Sequence, residues 1–262
     1  MLDERLITAL HVETLRRDHL HAEHEHDPHA LFQASTIGAL LEGAYDGDVS
    51  FGHLAEHGDL GLGTLNALDG EMIALEGRFY RADVDGHVNE IDPEERTPFA
   101  VMVWFEPTIT MELEGPLEHE QLLAALDARV PAEASSCALR VDGAFERVRA
   151  RSVPRQEPPY RPLGEVVADQ HVFELTDVSG TLVGFRFPDY AEGLEVSGYH
   201  LHFVDEERGR GGHVLECSPR RVQVALHPSN DLHVELPPGI ELADSELAEE
   251  TREALRRAEH DG

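Results

Sequence analysis

Short apolar runs separated by turn dipeptides recur along most of this 262-residue chain. Segments 61–65, 71–75, 78–82 and 99–105 read as strands, punctuated by Asp69-Gly70, Glu76-Gly77 and Asp85-Gly86. Segments 137–141, 144–153, 171–175, 180–186, 198–204, 213–216 and 221–226 repeat the pattern. Helical spacing appears in fewer places. Ile37, Leu40, Leu41 and Ala44 follow a Ser35-Thr36 start and predict a capped helix over 35–45. A second short helix is predicted over 51–58, ended by glycine, and an amphipathic one over 117–130, ended by Pro131. Residues 2–15 and 245–259 are further helical candidates.

Strands grouped with peripheral helices, without βαβ alternation, predict an α+β fold. Four prolines within 154–162 suggest a linker. The expected division is a polar, histidine-rich tail over 1–30, with ordered structure starting near Leu31, then an α+β subdomain over 31–153. A second α+β subdomain over 154–262 would be closed by the terminal helix. Two mixed β-sheets are expected, with a metal site in the C-terminal half facing the N-terminal half.

The candidate chemistry lies in 198–213. His200 and His202 are two apart, so on a strand both imidazoles face the same way. The charged, glycine-rich stretch 205–212 reads as a turn, after which His213 returns beside them. Three histidines with an open position form the ligand set of a catalytic transition-metal site. With 17 histidines in the chain, chance pairs are the competing explanation. The cluster His21, His24, His26 and His29 is read as part of a solvated tail. Cys137 and Cys217 give no disulfide framework, and Cys217 is read as a buried free thiol although it lies four residues after His213.

Charge changes the picture of the surroundings. There are 52 acidic residues against 21 basic, every basic one an arginine, for a net charge of −31. The acids are spread along the chain, which argues for a solvated acidic surface and against nucleic acid or anionic membranes as partners. In molar salt the Debye length shrinks to about 3 Å, which screens such self-repulsion. The expected setting is a salt-rich cytoplasm, as in extreme halophiles. Neither a membrane span nor a signal pattern is visible, so a soluble cytoplasmic protein is expected.

Several longer motifs occur in order: Gln33-Ala-Ser-Thr-Ile-Gly-Ala-Leu-Leu-Glu-Gly-Ala-Tyr-Asp-Gly47, His57-Gly-Asp-Leu-Gly-Leu-Gly-Thr-Leu-Asn-Ala-Leu-Asp-Gly-Glu-Met72, Thr97-Pro-Phe-Ala100, Gln156-Glu-Pro-Pro-Tyr-Arg-Pro-Leu163, Ser197-Gly-Tyr-His-Leu-His-Phe203 and Gly211-Gly-His213. With these the chain resembles the α-acetolactate decarboxylase family from about Phe32 to Glu259. The resemblance implies conversion of 2-acetolactate to acetoin and carbon dioxide with a divalent metal, zinc in type. It implies His200, His202 and His213 as ligands, and Glu71, Arg151 and Glu259 as further active-site groups. Thr64 would line the pocket, and a homodimer is implied. Taken alone, Glu71 is an ordinary surface glutamate and Arg151 a strand-surface ion-pair partner. Two competing readings are a cupin-like metal oxygenase, which would recruit Glu206, and a non-enzymatic metal-buffering or acidic partner-binding protein.

Overall fold

A computed structural model describes residues 11–15, 30–191 and 193–236. In chain order the strands are β1 (His11–Leu15), β2 (Leu31–Ala34), β3 (Val49–Ser50), β4 (Leu60–Thr64), β5 (Glu71–Leu75), β6 (Arg78–Ala82), β7 (Val88–Glu90), β8 (Arg96–Thr97), β9 (Ala100–Val103), β10 (Ile109–Glu114), β11 (Ser136–Ser152), β12 (His171–Phe187), β13 (Gly198–Asp205), β14 (Gly211–Ser229) and β15 (Asp231–Glu235). The α-helices are α1 (Ile37–Leu41), α2 (Phe51–Leu54), α3 (His119–Asp127) and α4 (Leu163–Val166).

Eight strands make a mixed sheet in the order β1-β15-β2-β9-β4-β5-β6-β7. A second sheet runs β10-β14-β11-β12-β13, and a further β13–β14 pairing closes it into a small barrel. Strands dominate and the helices are peripheral, as an α+β fold requires. The barrel interior is apolar: Leu139, Val141, Phe145, Leu182, Leu201, Phe203 and Val224 fill it, and α3 adds Leu122 and Leu126. The first sheet packs on the outside of the barrel. Leu62, Ile73 and Leu75 from the sheet meet Ala138, Val183, Phe185 and Val204 from the barrel. Burying each such side chain contributes about 1.5–3 kcal/mol, so this inter-sheet layer fixes how the two face each other.

The helix expected over 35–45 is present as α1. Thr36 caps it by accepting from the Ala39 N–H at 3.1 Å. The helix expected over 2–15 is corrected where it can be seen: residues 11–15 are a strand, and structure begins before Leu31. β1 pairs in parallel with β15, with His11 opposite Asp231 and Leu15 opposite Glu235. A ladder to a distant segment overrides local spacing. The terminal helix over 245–259 lies outside the described residues. The proline-rich stretch 154–162 separates β11 from β12, yet these two pair antiparallel from Cys137–Arg186 to Ser152–His171. The stretch is therefore a connection between neighbours in one sheet. β15, from the second half of the chain, lies in the first sheet. Among the described residues no helix is long and apolar enough to cross a membrane.

Candidate active site

β13 and β14 are joined by the tight turn foreseen over 205–212, and the register sets His202 directly opposite His213. His200 lies two residues back on the same face, while Leu201 and Phe203 turn into the barrel core. The three rings converge, with centroids 5.0, 5.1 and 5.3 Å apart. One ring nitrogen from each lies within 4.8 Å of the others, and all three residues are buried.

His202 shows how the fold prepares the set. Its Nδ1 lies 2.8 Å from the Met72 carbonyl oxygen, which assigns Nδ1–H as donor and turns the Nε2 lone pair inward. That buried Nε2 makes no hydrogen bond among the described residues. Burial first, then the neighbouring His200, hold the His202 pKa well below the usual histidine range, so the ring is neutral. A buried imidazole held neutral, with two more beside it, is a good ligand for a divalent cation. On this chemistry the residues fit a metal.

β5 brings Glu71 to the same place. It opens the strand opposite Thr64 of β4, and its carboxylate reaches between the cluster and β11. Its Oε2 lies 3.6 Å from His202 Nε2, and its Oε1 accepts from Arg151 Nη1 at 2.7 Å. Arg151 sits on β11 directly opposite His213. The Arg151 and Glu71 side chains are only 6% and 8% exposed, so both surface readings available from sequence give way to a buried ion pair. Thr64 is buried, and its Oγ1 donates to the Gly70 carbonyl at 2.8 Å.

Thr64, Glu71, Arg151, His200 and His213 line one cavity. The same cavity is also lined by apolar residues: Ile37 and Leu40 of α1, Leu68, Phe99, Val153 and Leu163. Sequence reasoning missed this wall, because apolar residues at helical or strand spacing look the same whether they face a core or a cavity. The site thus combines polar groups suited to oxygen-rich ligands with apolar lining suited to short alkyl groups. Glu259 lies outside the described residues. Glu206 is exposed in the turn, away from the cluster, which removes the support for a cupin-type ligand. Cys217 is free and buried, and burial pushes its thiol up to about 12, so it is a neutral core residue.

Three convergent imidazoles that could hold a metal ion lie on a closed barrel, beside a buried acid–guanidinium pair and apolar lining residues. The model of the alpha-acetolactate decarboxylase family matches residues 31–249. The chain is 45% identical over 259 residues to the alpha-acetolactate decarboxylase of Methylococcus capsulatus, covering 99% of each. It is 41% identical over 213 residues to that of Klebsiella aerogenes, covering 81% of this chain and 82% of the other. The crystal structure of alpha-acetolactate decarboxylase from Bacillus subtilis superposes with a TM-score of 0.83 at 35% identity, covering 88% of this chain and 99% of that one. The chain belongs to the alpha-acetolactate decarboxylase family.

Proposed function

We propose that this chain decarboxylates 2-acetolactate to acetoin and carbon dioxide, with the cavity between sheet and barrel as its active site. The observation that carries the reading is the meeting of the three imidazoles with the Glu71–Arg151 pair in one partly apolar cavity.

His200, His202 and His213 would hold a divalent metal, zinc being the ion an all-imidazole set suits, and it would supply Lewis acidity toward the substrate's keto and hydroxyl oxygens. The chain's own groups account for the rest. Arg151 presents a guanidinium that can grip a carboxylate through two parallel hydrogen bonds, which orients the leaving group. The bond from the carboxylate carbon to its neighbour breaks, and its electron pair enters the adjacent ketone as an enolate. A proton must then reach the carbon that carried the carboxylate. Glu71, beside both Arg151 and His202, would deliver it after taking up a proton from solvent when the substrate carboxylate displaces it from Arg151. Since Glu71 holds Arg151 in the structure described here, an arriving carboxylate competes for the same guanidinium. Thr64 closes the polar side, and Glu259 stays in the proposal on the resemblance alone.

The reading extends to the setting. The net charge of −31 supports work in a salt-rich medium. The cytoplasm and a homodimer belong to the same proposal through the resemblance. The test is direct: metal-loaded protein in high salt is given 2-acetolactate, and acetoin and carbon dioxide are assayed. Production well above the spontaneous rate, lost on chelation, is expected. Acetoin no faster than in protein-free buffer would sink the proposal.

A further inference from the structure

The connection between β4 and β5 has an unusual backbone. Ala67 has φ 60° and Leu68 φ 53°, so two consecutive residues with side chains lie in the left-handed region. Neither is glycine or asparagine, the residues that visit that region readily. Such a conformation persists only where the surroundings over-determine it, and strain of this kind collects at functional sites.

The surroundings here are specific. The Asn66 carboxamide bridges the two peptide groups that flank the Gly47 Cα: its Oδ1 accepts from the Gly47 N–H at 2.9 Å, and its Nδ2 donates to the Gly47 carbonyl at 2.9 Å. Gly47 is itself fixed, since a Cβ there would stand 1.8 Å from the Thr97 carbonyl oxygen. The Ala67 N–H donates to the Tyr45 carbonyl at 2.8 Å, and the Ala67 carbonyl accepts from the Gln156 N–H at 2.7 Å. The Gly70 N–H donates to the Leu68 carbonyl at 2.8 Å. The product is Leu68, 2% exposed, held against the cavity that also contains Glu71 and Arg151.

We infer that Leu68 limits the size of the alkyl group on the carbon bearing the substrate carboxylate, and that Asn66 is the positioning residue that keeps it there. The inference rests on the decarboxylase reading for the substrate's identity. Of the four substituents on that carbon, the carboxylate is drawn to Arg151, and the hydroxyl and the acyl oxygen to the polar side. The alkyl group is left for the apolar lining, to which Leu68 belongs. A leucine free to relax to negative φ would withdraw and leave room. A clamped one makes every added methylene a clash.

The experiment compares kcat/KM for 2-acetolactate and its 2-ethyl and 2-propyl homologues. The wild type is expected to lose on the order of tenfold or more per added methylene. Leu68→Ala should narrow the methyl-to-propyl gap by at least about tenfold. Asn66→Ala should narrow it in the same direction, and Asn66→Asp, which keeps the acceptor for the Gly47 N–H, should restore part of it. A role in folding alone would lower stability and leave the ratio unmoved. Ala67→Gly should melt no lower than wild type, since glycine accepts that φ; a lower melting temperature would overturn the strain argument.

Binding of 2-hydroxy-2-alkyl acids, which lack the ketone and cannot decarboxylate, is measured by calorimetry beside the kinetics. If wild type makes no acetoin, the decarboxylase reading falls, yet the calorimetry still reads the wall. Leu68→Ala should then bind the propyl acid at least about tenfold tighter relative to the methyl acid. Unchanged ratios in Leu68→Ala, or ratios unmoved in a folded Asn66→Ala, overturn the inference.

Discussion

The Arg151 guanidinium already holds a carboxylate, that of Glu71, 2.7 Å away in a nearly sealed interior. From sequence, each of the two could be replaced without harm to the fold. The pairing alters that expectation for Arg151, because removing it leaves a buried carboxylate without its guanidinium. Arg151→Ala should cost about 3–5 kcal/mol in denaturant unfolding, and the Glu71→Gln, Arg151→Ala double variant less than the sum of the singles. Strict additivity would show that the contact carries no coupling energy. Glu71→Gln should keep its metal and lower turnover by on the order of 10²-fold or more, the usual scale for a proton-transfer group, and a wild-type rate would remove that role. At the ligands the expectation is simpler. His202→Ala and His213→Ala should lose bound metal and activity together in elemental analysis, while Glu206→Gln keeps both. Demetallation by Glu206→Gln would revive the cupin-like alternative.

At the level of elements, the turns signalled at Asp69-Gly70, Glu76-Gly77 and Asp85-Gly86 fall between strands, but some segments read as separate strands are continuous. Segments 137–141 and 144–153 are one strand, β11; 171–175 and 180–186 are one strand, β12; 213–216 and 221–226 are joined in β14. Gly143, between two of those segments, and Gly180, at the start of another, are cross-strand partners in the middle of the barrel. A Cβ on Gly180 would meet the Phe203 ring and the Val204 carbonyl at 2.5 Å, so this glycine marks close packing rather than a turn. Gly180→Ala should accordingly lower stability by about 1–3 kcal/mol, seen as a reduced melting temperature, whereas a surface-turn glycine would tolerate the change. The His200, His202 and His213 constellation was readable because alternation and one tight hairpin, both local properties, place it. Strands such as β10 and β15 were not read, because long-range pairing stabilises them. The apolar cavity wall escaped for a related reason: which side of Ile37 or Leu68 is empty is decided by the packing of sheet on barrel.

Across the whole molecule, a net charge of −31 acts on stability through self-repulsion that unfolding relieves. Melting temperature and activity should both rise from about 0.1 M salt, where the Debye length is about 10 Å, toward several molar. A flat or falling curve would dismiss the salt-adapted reading and leave the chemistry of the site untouched. The order β1-β15-β2 has a different consequence, for the chain as it is made. β15 inserts between two strands that leave the ribosome long before it, and it pairs in parallel with both. Among the described residues, until residue 231 emerges β1 has no neighbour and β2 presents an open edge that another nascent chain could occupy. β15 therefore works as a zip drawn late, and a polypeptide cut off before it should be recognised by proteases and chaperones as unfinished even though its histidines and their barrel strands have already been synthesised.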